Sequence, residues 1–372
     1  MQPRRAPTPL AANSADKAKS SISVMIVDDS LTVRTVFSRM IGSDPALRIV
    51  ATANSGEAAL QELSSSKADV ILLDLEMPGM GGLDALPKLL AAQDDVQILV
   101  VSSLAKVGAE HTIAALAEGA ADTMLKPRSG GFDDAYRLSL LEKIKALGGA
   151  KQDTDRTPSI SNEGIHAKAQ PTAKRVIKRP EILAFGASTG GIHALNIVLR
   201  ALPPEFALPI VITQHLPANF VPIFARQIEA ASGRPTHVAV EGTKVDRGEV
   251  LIATGKGHME FTRTADDVRT AVSTQAVSSN CLPSVDPMLA SLAKVFDGHA
   301  LGVILSGMGR DGLEGASALV AAGGGLLAQD AQSSAVWGMP GAVSNAGIVD
   351  ECLPPLKIAQ QICDSAGAAA WR

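Results

Sequence analysis

The sequence predicts an α/β protein made of two doubly wound parallel-sheet domains. Three features carry that expectation. Short apolar runs alternate with helical patterns from Ser23 to about Leu147. A polar stretch without period follows, and the alternation then resumes from about Glu181. Alternating strand and helix signals pack most economically as a parallel sheet with helices on both faces.

The elements follow in order. Residues 1–22 contain Arg4 and Arg5 but no apolar core of a signal peptide, which predicts a disordered tail. In residues 23–143 the strand runs are SVMIVDD, RIVATA, ADVILLDL, QILVVSS and ADTMLKP. Between them LTVRTVFSRMIG, GEAALQEL, GLDALPKLLAA and HTIAALAEG place apolar residues at helical spacing, and YRLSLLEKIKAL closes the domain. Residues 148–177 are rich in Ser, Thr, Pro and Lys. A stretch of about thirty such residues is too long for an ordinary loop and predicts a linker. It ends in the basic residues Lys174, Arg175, Lys178 and Arg179, which fit solvent or an acidic surface.

In residues 178–366 the strands are EILAFGA, PIVITQH, GVILSGM and GGLLAQD. GGIHALNIVLRAL, VPIFARQIEAAS, PMLASLAKVFD and LEGASALVAAG are helices. EVLIATGKGHMEFTRT interrupts its apolar runs with polar residues and glycines, which predicts an antiparallel excursion in the style of a β-hairpin insertion.

Composition bounds the function. The 372 residues fit two or three domains. A formal charge of -4 provides no basic field for nucleic acid. Cys281, Cys352 and Cys363 show no C-x-x-C spacing, which argues against a zinc ribbon or disulfide framework and fits a reducing, cytoplasmic compartment. No apolar run reaches the length of a membrane span, so direct insertion is not expected.

Ligands of open parallel sheets bind beyond the carboxyl ends of the strands. In the first domain those ends carry Asp28 and Asp29, Asp74, Ser102, and Lys126 before Pro127. Three carboxylates on one rim repel unless a hard cation such as Mg²⁺ joins them. One of them could then attack a phosphoryl group, with Lys126 and Ser102 neutralising its oxygens. Taken singly, each acid could equally be a turn or capping residue. The segments VDDS, LLDLEMPGMGG, VSS and LKP resemble a response-regulator receiver domain over its full length. The resemblance implies phosphorylation of Asp74, Mg²⁺ held by Asp28, Asp29, Asp74 and the backbone carbonyl of Glu76, and Ser102 and Lys126 as switch hydroxyl and phosphate-binding lysine. Thr123 stands where receivers often carry an aromatic switch residue.

In the second domain GASTGG, Gly186 to Gly191, fits both a serine elbow and the outer glycines of a dinucleotide loop. The dinucleotide reading lacks its middle glycine, replaced by Ser188, and an acidic ribose partner after the next strand. A serine nucleophile needs a base. Of the seven histidines, His215 ends PIVITQH on the same rim as Ser188, and SGMGRDG places Asp311 there too. A free backbone N–H in that glycine-rich turn could serve an oxyanion. The alternatives remain that Ser188 caps a helix, His215 is a core histidine and Asp311 a turn residue.

GASTGG, ITQHLP, GKGHME, PSVDPML, SGMGRDG and GMPGAV, in this order, resemble the catalytic domain of the chemotaxis protein-glutamate methylesterase family. The resemblance implies Ser188 as nucleophile, His215 as base, Asp311 as its orienter, the N–H of Met308 as oxyanion donor and Thr189 as a support for His215. It implies demethylation of glutamate methyl esters and deamidation of glutamines on methyl-accepting chemoreceptors, without a cofactor. The histidine kinase of the chemotaxis pathway would be the phosphodonor. The unphosphorylated receiver would cover the catalytic rim. Asn280-Cys281-Leu282 departs from the family's usual Asn-x-His-Arg, and Arg310 stands where Asn is frequent. The rival reading is a non-catalytic signalling protein with a vestigial esterase domain.

Overall fold

The computed structural model describes residues 21–102, 106–127, 131–154 and 177–367. Most of the expected N-terminal tail lies outside them, although Ile22 already opens the first strand. The first domain runs β1 (Ile22–Val27), α1 (Leu31–Gly42), β2 (Leu47–Ala53), α2 (Gly56–Leu63), β3 (Val70–Asp74), α3 (Gly82–Ala92), β4 (Gln97–Ser102), α4 (Lys106–Ala117), β5 (Asp122–Leu125) and α5 (Asp134–Thr154). Its five-stranded sheet has the order β2-β1-β3-β4-β5, parallel throughout. β1 and β3 are buried along their whole length, as unbroken apolar runs should be when helices cover both faces. Ser30 and Ser55 begin α1 and α2 by accepting the N–H groups of Val33 and Ala58. α5 continues to Thr154, so the expected linker starts inside a helix. Its remainder, with Lys174 and Arg175, lies outside the described residues.

The second domain runs β6 (Ile182–Ala187), α6 (Gly191–Ala201), β7 (Ile210–Gln214), α7 (Val221–Ser232), β8 (Thr236–Val238), β9 (Val250–Ile252), β10 (His258–Arg263), β11 (Val268–Ser273), α8 (Val285–Val295), β12 (Ala300–Ile304), α9 (Leu313–Ala321), β13 (Gly325–Gln329), α10 (Met339–Asn345), β14 (Glu351–Leu353) and α11 (Pro355–Ala366). Seven strands form one parallel sheet in the order β14-β13-β12-β6-β7-β9-β8.

The expected antiparallel excursion is smaller than its sequence suggests. Val250–Ile252 is β9, a parallel strand of the main sheet beside β7. Among the described residues, β10 and β11 are the only two strands that pair antiparallel. β9 spans three residues, too few for a helix–strand alternation to mark it as a sheet member. Lys178 and Arg179, read as the basic end of a linker, instead donate to the carbonyls of Asp297 and Ala366 in their own domain.

The domains pack together. α4 lies against α6 and α7. Leu116 of the first domain and Ile192 and Leu216 of the second belong to one apolar cluster.

Candidate active site

Ser188 sits one residue past β6, and its N–H donates to the Ser306 carbonyl at 3.0 Å. The chain then turns through Gly190 at φ 77° before α6 begins. A Cβ there would lie 2.7 Å from Ser306 Oγ, so both the positive φ and the space demand glycine. His215 follows β7, and its N–H donates to the Ala187 carbonyl at 3.0 Å, fixing it beside the serine. Ser188 Oγ lies 3.1 Å from His215 Nδ1. On the other side of the ring, Nε2 lies 2.8 Å from Asp311 Oδ2. A neutral imidazole then carries its proton on Nε2, toward the carboxylate, and offers the Nδ1 lone pair to the serine hydroxyl.

Asp311 follows β12 and is 2% exposed. Besides His215, Oδ2 accepts the Val285 N–H at 2.7 Å. Oδ1 accepts the hydroxyls of Ser284 at 2.5 Å and Ser279 at 2.9 Å. Burial works against this charge. The hydrogen bonds from His215, Ser284 and Val285 outweigh it and hold the carboxyl well below the usual range. Burial also opposes a charge on His215. There the Asp311 carboxylate and the Cys281 sulfur prevail, and the imidazole is pushed up to about 9.

Asp286, in the quoted segment PSVDPML, serves differently. It accepts the Gly315 N–H at the start of α9. Burial, with the Asp311 charge nearby, pushes its carboxyl up to about 6.

Gly307 lets the SGMGRDG turn close on the serine, since a Cβ there would lie 2.9 Å from Ser188 Cβ. The next residue, Met308, is exposed, and among the described residues its N–H donates to no protein group. Thr189 lies elsewhere than expected. Its hydroxyl donates to Asp122 Oδ2 of the first domain at 2.7 Å, so it does not support the His215 ring.

The first domain's rim gathers Asp28, Asp29 and Asp74, with carboxylate oxygens all within 4.8 Å of one another. Lys126 Nζ lies 2.6 Å from Asp74 Oδ2 and 2.8 Å from Asp28 Oδ2. Burial raises the Asp74 carboxyl despite Lys126. Asp74 Oδ1 accepts the N–H of Glu76. Asp28 Oδ2 is buried and has an ion pair but no hydrogen bond of good geometry. A clustered all-oxygen donor set with such an orphaned lone pair fits a hard divalent cation. Ser102 is buried and its Oγ lies 2.7 Å from Thr112 Oγ1 on α4. Thr112 Oγ1 also lies 2.6 Å from the Gly108 carbonyl, an acceptor only, so Ser102 donates to Thr112. Among the described residues, the buried Thr123 Oγ1 has no hydrogen-bond partner.

The rim of the second domain is covered by the first. Gly190 N–H donates to the Ala121 carbonyl at 2.6 Å. His193 Nδ1 donates to the Ala117 carbonyl at 3.0 Å. Asp122 holds Thr189 and is itself paired with Lys143. Arg226 and Glu110 pair across the interface, but at 60% and 47% exposure they contribute about 0–1 kcal/mol. Between Leu116, Ala120 and Ala121 on one side and Ser188 and His215 on the other remains a space of about 10 Å³. That is at the lower limit for one water molecule and far below what a substrate side chain needs.

Ser279, Ser284, Asp122 and Cys281 were not legible as site residues. Ser284 precedes a helix and reads as its cap, which it also is. Its contact with Asp311 spans 27 positions and has no spacing signature.

Residues 183–362 match the CheB methylesterase family, and residues 24–131 match the response regulator receiver domain. The protein-glutamate methylesterase/protein-glutamine glutaminase of Rhodopseudomonas palustris (strain HaA2) is 38% identical over 351 residues, covering 89% of this chain and 90% of that one. That of Azospirillum brasilense is 38% identical over 388 residues, covering 98% of each chain. The solved CheB methylesterase catalytic domain of Thermotoga maritima is 32% identical, covering 50% of this chain and 98% of that chain at a TM-score of 0.49. With a receiver in front and a serine esterase domain behind, the chain belongs to the protein-glutamate methylesterase/protein-glutamine glutaminase family.

Proposed function

We propose that the protein is a phosphorylation-controlled serine hydrolase that removes methyl groups from glutamate esters, and amide nitrogen from glutamines, on chemoreceptors. The observation that carries this is the connected line Ser188 Oγ, His215 Nδ1, His215 Nε2, Asp311 Oδ2, with spacings of 3.1 and 2.8 Å. Ser188 Oγ attacks the ester carbonyl while His215 Nδ1 takes its proton. Asp311, held by Ser279, Ser284 and Val285, keeps the ring oriented and its opposite proton on Nε2. The unpartnered N–H of Met308 supports its role as oxyanion donor, an interaction of about 3 kcal/mol in enzymes of this chemistry. His215 returns the proton to the leaving methoxide, or to the departing amide nitrogen of a glutamine, which leaves as ammonia, and then activates the water that frees the glutamate. The intact triad stands against a vestigial, purely signalling domain.

In the receiver, Asp74 is the acceptor of the phosphoryl group, and a histidine kinase of the chemotaxis pathway is its donor. Asp28, Asp29 and Asp74, with the carbonyl of Glu76, would hold Mg²⁺, which supplies positive charge against the phosphoryl oxygens. Lys126 neutralises a further oxygen, and Ser102 leaves Thr112 to donate to the phosphoryl group. α4 carries Thr112 and lies on the interface, so this exchange biases the cover toward opening. The work is assigned to the cytoplasm, where the kinase and reduced thiols are found; among the described residues no helix is long and apolar enough to cross a membrane.

Methanol release from methylated receptor, with and without a small phosphodonor, tests the proposal. Release that depends on Ser188 and rises with the phosphodonor is expected. No release under either condition overturns the enzymatic reading.

A further inference from the structure

Cys281 lies on the loop between β11 and α8, outside the triad yet against it. A ring nitrogen of His215, a carboxylate oxygen of Asp311 and Cys281 Sγ lie within 4.8 Å of one another. Three separate strand-end loops therefore bring one sulfur, one nitrogen and one oxygen donor to a single point. Donors around tetrahedral Zn²⁺ at bond lengths of about 2.0–2.3 Å stand roughly 3.3–3.6 Å apart, so shifts of no more than about 1 Å complete the set, with His215 Nε2 and Asp311 Oδ2 moving apart from 2.8 Å. Asp311 is already held in place for a ligand's role, because Ser279 and Ser284 engage Oδ1, and the Val285 N–H fixes Oδ2 where it faces His215. The Cys281 thiol faces the Ser279 carbonyl at 3.7 Å.

The way in is independent of the cover. Cys281 and Asp311 line a cavity of about 260 Å³ with Ser278, Met308, Arg310 and Glu314, and among the described residues none of the first domain borders it. The receiver's three carboxylates offer oxygen only and suit Mg²⁺, whereas thiolate and imidazole select borderline and soft ions.

We propose that Cys281, His215 and Asp311 form an inhibitory site for Zn²⁺ or an ion of its class, with the fourth position left to water. The ion binds Cys281 Sγ, Asp311 Oδ2 and His215 Nε2. The thiol proton leaves to solvent, and the single proton of the neutral ring moves from Nε2 to Nδ1. Nδ1 then points an N–H at Ser188 and has no lone pair for its hydroxyl proton. Binding does not depend on turnover; only its inhibitory consequence rests on the reading of His215 as base.

Binding is measured on full-length Ser188→Ala protein in excess Mg²⁺, by titrating Zn²⁺ against a chromophoric zinc chelator. One ion per chain is expected, with affinity lowered at least about tenfold by Cys281→Ala and unchanged by Cys352→Ala, which removes the exposed thiol. Equal affinity in the Cys281→Ala protein, or loss in Cys352→Ala, overturns the site. In the esterase assay the Cys281→Ala chain is compared with its own zinc-free rate. It then needs at least about ten times more Zn²⁺ for half inhibition. Binding at Cys281 without inhibition of the wild-type enzyme leaves the site standing and overturns the assignment of His215 as base.

Discussion

The two domains each place a buried aspartate beside a cationic partner at the carboxyl edge of a parallel sheet, yet the two carboxyls are tuned in opposite directions. Asp74 meets Lys126 and one backbone N–H, and burial wins, so its carboxyl is raised. Asp311 meets His215, two serine hydroxyls and a backbone N–H, and the hydrogen bonds win. Counting donors separates the roles. A carboxylate with vacant lone pairs can attack a phosphoryl group. One whose lone pairs are nearly all engaged is a fixed electrostatic support.

That contrast can be broken from either side. The largest effect is expected on the esterase side. Ser188→Ala should lower kcat by about 10⁴-fold or more while the thermal melt stays unchanged, since a triad acts as a unit. Substantial turnover in a clean preparation removes Ser188 from its role.

Asp311→Asn comes next, with a loss of about 10³- to 10⁴-fold. It also carries a pH signature. His215 must be neutral to take a proton, so kcat/KM should rise with pH, with its limb above the ordinary imidazole value of about 6.5. Asp311 and Cys281 push the ring up to about 9, which sets where the limb lies. Removing the Asp311 charge should move the limb to lower pH. A limb that moves upward, or does not move, contradicts the role given to Asp311.

On the receiver side, Asp74→Asn or removal of Mg²⁺ with a chelator should abolish phosphoryl incorporation while leaving basal esterase activity intact. Label entering the Asp74→Asn protein would displace Asp74 as the acceptor.

The interface sharpens the comparison by joining the two sites. Deleting residues 1–164 should raise basal kcat/KM by up to roughly tenfold if the cover is closed about 90% of the time. A folded fragment no faster than the unphosphorylated chain contradicts simple occlusion. The smallest effect is expected for Asp122→Ala. It removes one charged hydrogen bond to Thr189, about 1 kcal/mol of closure, and should raise basal activity about three- to fourfold. Equal basal rates would show that the Asp122–Thr189 hydrogen bond contributes nothing to closure.

Much of this molecule is legible in its sequence, for reasons that are local. Buried parallel strands need unbroken apolar runs, and residues just past them stand on one rim. That logic places Asp28, Asp74, Lys126, Ser188, His215 and Asp311 without knowledge of any contact. It also predicts two domains. It fails at β9, which is too short to carry a pattern, and at Thr154, where helix runs into a stretch composed like a linker. Tertiary structure alone decided the rest. Which acid orients His215 depends on donors arriving from Ser279, Ser284 and Val285, while Asp286 is drawn off to cap α9. Thr189 faces Asp122 because the other domain stands there, 67 positions away in the chain. Cys281 reaches the triad because its loop folds over from β11. Strand periodicity is a property of neighbours in sequence, whereas the charge state of a buried group depends on atoms that only the folded chain brings within about 3 Å of it.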